Sequence, residues 1–288
     1  MPGDLHTHSN YSDGSVNPEK VVWLAAKTGL TSLAISDHDS MESVRYAYAH
    51  PVQHGVELIP ALELSSYDYE RQHRVHILCY YPDDCPALEE HCDLMGRRRT
   101  QATLQSCREL EAICPQFSTQ DAWAYCGEGK VLYKAHVMRA LMDAGLADNI
   151  YGDLYHELFA LRPVPGKVIH EAKYRPVEEV LATVRACRGV AVIAHPSVYH
   201  SMPLVEDLAA RGLIDGVEIH HPRNTPQDKE RLEQLAREYG LLVTGGTDYH
   251  GMNSKVPHPV GTCQTDDETI QAIKALAQSR KTEKAKEK

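Results

Sequence analysis

Seven short runs rich in Val, Ile and Leu recur along the chain, and most of the stretches between them carry helical spacing. The runs are GDLHTH (3–8), TSLAISDHD (31–39), VELIPALELS (56–65), RVHILCYY (74–81), GVAVIAHP (189–196), GVEIHHP (216–222) and GLLVTGGTDYH (240–250). Most are continuously apolar rather than alternating, as parallel strands covered on both faces require. NPEKVVWLAAKTG (17–29) opens on Pro and Glu, spaces its apolar residues helically and ends on Gly. RPVEEVLATVRACRG (175–189) and TPQDKERLEQLAREYG (225–240) repeat that arrangement. Strand, helix, strand in repetition predicts an α/β fold with a mostly parallel sheet.

The alternation breaks between the fourth and fifth runs. Residues 97–162 hold RRRTQATLQSCRELEAI, QDAWAYCG, KAHVMRALMDAG and DLYHELFAL, with no strand signal among them. This predicts a helical insertion or cap that divides the α/β part into 1–96 and 163–277. The charged end, SRKTEKAKEK, has no apolar stripe. A disordered tail is therefore expected over 278–288.

Composition narrows the function classes. Forty acidic residues against 30 basic ones give a net charge of −10, which disfavours a long nucleic acid as main partner, because polyanion affinity comes largely from Lys and Arg at phosphates. A local basic patch can still hold a small anion. No apolar run approaches the ~20 residues of a membrane span, and Met1-Pro2-Gly3 leads straight into a strand-like run. No membrane partner, no signal peptide and a cytoplasmic location are the expectations. The eight cysteines form no CxxC pair and are expected to be reduced and inert.

The chain has 17 histidines, and their positions decide what they are for. In parallel α/β architectures functional groups gather where the strands' carboxyl ends open onto one face. Along the runs fall His6 and His8, with Asp13 just beyond, then His38, Glu63, His76, His195, Asp248 and His250. Side chains alternate along a strand, so His6 and His8 point the same way and can grip one ion. One histidine on an apolar strand is ordinary core; nine ligand-type residues on six of seven runs predict a metal site. Imidazole with carboxylate and without thiolate suits Zn, Mn or Fe. Nine ligands exceed one ion, whereas three ions sharing a carboxylate leave open positions for water and substrate.

DLHTHSNYSDG, SDHDS, IPALELS, HILCYY, VAVIAHPSVYH, GVEIHHP and LLVTGGTDYHG, in this order, resemble the polymerase and histidinol phosphatase (PHP) family, nearest its branch of free-standing, TrpH-like phosphoesterases. The resemblance implies a distorted (β/α)7 barrel with up to three divalent metals. One ion would be held by His6, His8, Glu63 and Asp248, a second by Glu63, His76 and His195, and a third by Asp13, His38 and His250. It implies hydrolysis of phosphate esters of small molecules or nucleotides by a metal-bound hydroxide, with Glu63, Asp248 and His195 as catalytic residues. Asp37, Asp39 and His221 are candidates for an acid or for orienting the ligands.

Lys134, His136 and Arg139 stand at i, i+2 and i+5 of an expected helix, not all on one face. The resemblance implies phosphate contacts there, with Arg223 and the RRR run at 97–99 as further candidates. Nucleotide-acting relatives often carry Arg-x-His where this chain reads Lys134-Ala-His136. A small phosphorylated sugar or nucleotide, as phosphomonoester or cyclic phosphodiester, is the expected substrate. A bisphosphate phosphatase or an exonuclease on short RNA stands second, followed by hydrolysis at carbon and a non-catalytic metal-binding scaffold. No obligate protein partner is indicated.

Overall fold

The computed structural model describes residues 2–127, 130–161 and 163–286. The first sheet holds β1 (Gly3–Thr7), β2 (Ser32–Ile35), β3 (Val52–Gln53) and β4 (Val56–Leu58), in the order β1-β2-β4-β3. The second holds β5 (Ala61–Asp68), β6 (His73–Tyr80), β7 (Arg175–Pro176), β8 (Val190–Ile193), β9 (Gly216–His220) and β10 (Leu242–Gly245), in the order β10-β9-β8-β6-β5-β7. Single bridges, Thr7 to Tyr249 and His38 to Glu63, join the two sheets. With β4 and β5 counted as one interrupted stave, this is a distorted (β/α)7 barrel whose regular pairing stays within two sheets.

Two strand expectations need correction. VELIPALELS is two strands, because the chain turns at Ile59-Pro60 and Pro60 has no N–H to continue a ladder. The strand from RVHILCYY, β6, runs antiparallel to both β5 and β8. Its amino end therefore shares a face with the carboxyl ends of its neighbours. This is why His76, early in its strand, reaches the same place as residues that follow theirs.

The helices are α1 (Pro18–Lys27), α2 (Glu42–Ala49), α3 (Pro86–Ile113), α4 (Thr119–Trp123), α5 (Lys134–Asp143), α6 (Asp153–Phe159), α7 (Val177–Ala186), α8 (Met202–Ala210), α9 (Pro226–Tyr239) and α10 (Asp267–Lys286). Their ends follow the local chemistry. Asn17 accepts from Lys20 N (2.9 Å) ahead of Pro18, and Thr225 accepts from Asp228 N (3.1 Å) ahead of Pro226. Gly240, at φ 66°, closes α9 in the left-handed conformation.

Every residue of β1, β2 and β8 is buried. Leu5, Ala34, Leu78 and Val192 pack together inside the ring, with Ile270 and Ile273 of α10 in the same cluster. A separate apolar cluster joins the second half of α3 to α4, α5 and α6 through Cys107, Leu110, Ala122, Met138, Leu141 and Phe159. Helix α3 begins at Pro86, ahead of the expected boundary at 97, and belongs to both regions: Leu88 and Cys92 pack with the barrel, Cys107 and Leu110 with the helical cluster. Arg162, the expected end of the insertion, lies outside the described residues.

The tail and the cysteines also depart from expectation. Helix α10 continues through Lys286, so 278–286 are helical, while 287 and 288 lie outside the described residues. The Arg280 guanidinium holds this helix to the barrel by pairing with Asp215 (2.9 Å to Oδ2) and donating to the Gly189 carbonyl (2.5 Å). Cys85 and Cys187 are joined as a disulfide with their Cα atoms 5.9 Å apart, linking the start of α3 to the end of α7. At a sequence separation of 102, no spacing announces this pair. Among the described residues no helix is long and apolar enough to cross a membrane.

Candidate metal centre

The barrel face formed by these strand ends collects all nine ligand-type residues expected from the sequence. His6 is on β1 with His8 just after it, and Glu63 is on β5 and His76 on β6. Asp13, His38, His195, Asp248 and His250 come from the segments that follow β1, β2, β8 and β10. Glu63 sits at their centre. Its Oε1 lies 2.9 Å from both His76 Nδ1 and His195 Nε2, and its Oε2 lies 2.9 Å from His38 Nδ1 and 3.3 Å from the Nε2 atoms of His6 and His8. Asp248 Oδ1 lies 3.2 Å from His8 Nε2 and 3.4 Å from His250 Nδ1. Asp13 Oδ1 lies 3.3 Å from His250 Nε2 and 4.0 Å from His38 Nε2. Two of these positions take the left-handed backbone, His195 at φ 29° and Asp248 at φ 55°. Non-glycine residues adopt it at a cost and are concentrated at functional sites.

The donor set fits divalent cations. Among the described residues, buried His6 Nε2, His8 Nε2, His38 Nδ1 and Glu63 Oε2 have no hydrogen-bond partner, although buried polar atoms are otherwise almost always paired. These atoms fall into overlapping groups whose ligand atoms lie within 4.8 Å of one another: His6, His8 and Asp248; His6, Glu63 and His195; His38, Glu63 and His76; and His8, Asp13, His38 and His250. All the donors are imidazole nitrogen or carboxylate oxygen, the set suited to Zn, Mn or Fe. Burial opposes ionisation of Asp13, but His250 and His38 outweigh it and hold its carboxyl below the usual range. Burial likewise opposes ionisation of Glu63, and His38, His76 and His6 overcome it.

A further buried carboxylate supports the floor. Glu218 is buried on β9; its Oε1 accepts from His6 Nδ1 (2.9 Å) and its Oε2 from the His195 backbone N–H (2.8 Å). That bond fixes the His6 proton on Nδ1 and leaves Nε2 as a free donor atom. Sequence reading passed over Glu218 because it lies within β9, and attention went to His221 beyond the strand's end. The available signal was alternation, which puts Glu218 on the same face of β9 as His220 and opposite Val217 and Ile219. Glu218→Gln is expected to weaken metal binding by about 10–100-fold. Competition with a chelator measures this, and unchanged affinity would rule out the orienting role.

Above the floor opens a cavity of about 790 Å³. Lys134, at the start of α5, and Arg223, after β9, line it. His136 and Arg139, also expected at the substrate, are turned elsewhere by the helix. Buried His136 places Nδ1 3.1 Å from Cys126 Sγ, and the Arg139 guanidinium lies over Tyr125 (4.7 Å). Three cations not assigned individually beforehand also line the cavity: Arg74, Arg99 and Lys255. Arg99, from the RRR run, is held in place by pairing with Asp39 (2.7 Å) and donating to Ser65 Oγ (2.9 Å).

The candidates for an acid separate equally clearly. Asp37 accepts from Ser9 N, Ser9 Oγ and Ser12 Oγ (2.8, 2.6 and 2.6 Å), which fixes the loop that carries Asp13. Asp39 accepts from Ser65 N, His91 Nε2 and Arg99 (2.8, 3.1 and 2.7 Å). Both carboxylates are fully used in holding structure. His221 faces the cavity; its Nδ1 accepts from Arg223 N, leaving an Nε2–H 3.5 Å from Asp248 Oδ2.

The PHP domain model matches residues 4–149. A phosphoribosyl 1,2-cyclic phosphate 1,2-diphosphodiesterase from Eggerthella lenta is 34% identical over 259 residues, covering 90% of this chain and 97% of that protein. The chain belongs to the PHP family. A 3',5'-nucleoside bisphosphate phosphatase from Chromobacterium violaceum, 28% identical, covers 86% of each PHP chain. A Bifidobacterium adolescentis protein assigned as a metal-dependent phosphoesterase superposes with a TM-score of 0.86 at 28% identity, covering 95% of this chain and 96% of that one. The activity of this PHP protein is metal-dependent hydrolysis of phosphoric esters.

Proposed function

We propose that this PHP protein hydrolyses a ribose-sized sugar phosphate, opening a cyclic phosphodiester and releasing inorganic phosphate, at a centre of three divalent ions. One observation carries the reading: a floor of imidazoles and carboxylates and a wall bearing Arg74, Lys134 and Arg223 share one cavity. The 34% identity to the phosphoribosyl cyclic phosphate enzyme over nearly its whole length supports the same substrate class. Lys134 in place of the arginine frequent in nucleotide-acting relatives also favours a smaller substrate. The protein acts in the cytoplasm, and its helical region over α4 to α6 serves as the cap that shapes the cavity.

Divalent ions such as Mn, Fe or Zn would supply Lewis acidity, which lowers the pKa of water and neutralises charge on phosphoryl oxygens. His6, His8, Glu63 and Asp248 would hold one, Glu63, His76 and His195 a second, and Asp13, His38 and His250 a third. The rest belongs to the chain itself. Glu218 holds the His6 Nδ1–H and so aims Nε2 into the site, and His221 Nε2 lies 3.5 Å from Asp248 Oδ2. Tyr199 packs against His76 and His195 with ring centroids 4.8 and 5.7 Å away, so it covers this side of the floor and excludes water. Lys134 and Arg223 would attract and orient the substrate anion.

The experiment that tests the reading is phosphate release by metal-loaded protein from five-membered cyclic phosphodiesters, sugar phosphates, nucleoside bisphosphates and short RNA. Release from cyclic and sugar phosphates is expected; release confined to bisphosphates or RNA would replace the sugar reading with a nucleotide one.

Lys134 makes a second test. Burial, and then Arg74 and Arg99, push its ammonium down to about 7. Its charge is therefore present below that pH and lost above it. Because kcat/KM reports free-enzyme pKa values, it should fall as pH rises through this point, and Lys134→Arg should flatten the fall. An identical profile in the variant would remove Lys134 from substrate binding.

A further inference from the structure

Arg74 stands two residues before His76 on β6, so both side chains leave the same face of the strand. Because β6 runs antiparallel to its neighbours, Arg74 lies further toward the mouth of the cavity than His76 does. Its guanidinium lies over the Tyr174 ring (5.3 Å) and is paired with Glu171. All of these residues line the same cavity as Lys134.

Glu171 belongs to the extended segment that returns from the helical region to β7, and its neighbours hold that segment. His170 Nε2 is 2.8 Å from Glu109 Oε1, the Lys173 carbonyl accepts from Arg98 (2.7 Å), and the Tyr174 carbonyl accepts from the Tyr69 hydroxyl (2.9 Å). The side chain of Glu171 is exposed and can leave Arg74 while the backbone stays in place. Lys134 has no carboxylate partner among the described residues; its ammonium instead lies 5.8 Å from the Phe159 ring centroid. An anion placed between Arg74 and Lys134 would therefore meet one cation without a counter-ion and another whose counter-ion is displaceable.

We propose that Arg74 is a specificity-determining residue: with Lys134 it receives a second phosphate of the substrate, one that is not cleaved, and Glu171 occupies Arg74 until that phosphate displaces it. The inference rests on the phosphoesterase reading above and adds that the substrate carries two anionic groups. Guanidinium–phosphate contacts are strong and geometrically selective, and a tethered carboxylate competes for the same N–H groups. Glu171 thus disfavours substrates lacking the second phosphate, because they supply nothing to replace it.

The experiment compares 5-phosphoribosyl 1,2-cyclic phosphate with ribose 1,2-cyclic phosphate, using metal-loaded wild type, Arg74→Gln, Glu171→Gln and the double variant. Wild type should prefer the 5-phosphorylated compound. Arg74→Gln should raise its KM by about tenfold, the loss of one charge-assisted contact. Glu171→Gln should lower that KM several-fold, and should have no effect once Arg74 is already replaced. Equal turnover of the two compounds by wild type, or a Glu171→Gln effect that persists without Arg74, would overturn the inference. Turnover of neither compound would count against the function proposed above and leave the subsite to a binding measurement. There, ribose 5-phosphate should bind more weakly to Arg74→Gln and more tightly to Glu171→Gln, and equal binding by all forms would overturn the subsite.

Discussion

Glu63→Gln is expected to lower phosphate release by the metal-loaded protein by more than about 10³-fold, beyond the 10²–10³ that losing one transition-state hydrogen-bond donor costs. The substitution preserves shape and removes the charge at the centre of the site. Glu63 is fully buried, and its two oxygens approach five imidazoles from β1, β6 and the segments after β1, β2 and β8. Without its charge the imidazoles of different strands lose the one carboxylate they all face, and two of the three expected ions lose a ligand. Phosphate release and metal content by elemental analysis should fall together, while circular dichroism reports an intact fold. Activity within tenfold of wild type would show that Glu63 is structural.

The second large effect is on stability. Divalent ions at about 100 times their Kd should stabilise the protein by about 2.7 kcal/mol, raising Tm by roughly 5–10 °C. The gain should grow as pH rises. In the metal-free protein burial opposes protonation of His8, but the adjacent carboxylates of Asp248 and Glu63 outweigh it and raise its pKa to about 10. The folded metal-free protein thus keeps a proton that a metal must displace, and lowering the pH favours the proton. Calorimetry with and without added Mn or Zn at several pH values measures this. An unchanged Tm, or a gain that survives in Glu63→Gln, would place the binding elsewhere.

Much of the site was legible because its residues come as short motifs on strands, where alternation dictates which way they point. His6 with His8 is readable in that way, whereas Asp248 and His250 follow β10 and Asp248 takes the left-handed backbone, so the loop sets their direction. His76 is legible only in part from strand ends, since its strand runs opposite to its neighbours and presents its amino end. The direction of β6 depends on the tight connection from β5, where Asp68 and His73 are paired, and not on the apolar pattern of either strand. Glu218 escaped because it acts through His6, a contact that alternation along β9 permits without announcing.

The cavity walls were less legible than its floor. A helix distributes i, i+2 and i+5 around its axis, so Lys134 enters the cavity while His136 and Arg139 do not. Arg74 and Glu171 are separated by nearly a hundred residues, and meet only because the chain crosses the helical region and returns along β5. The Cys85–Cys187 pair and the Arg280 contact with Asp215 are of the same kind, set by tertiary approach rather than by local pattern.

The central claim is that nine side chains from six strands and the segments that follow them form one metal floor on which phosphate esters are cleaved. X-ray diffraction from metal-loaded crystals soaked in phosphate, recorded at the absorption edge of the metal, tests it most directly. Three anomalous peaks are expected, the first among His6, His8, Glu63 and Asp248, the second by His76 and His195, and the third by Asp13, His38 and His250, with phosphate above them. Peaks away from these residues, or phosphate bound elsewhere in the molecule, would contradict it.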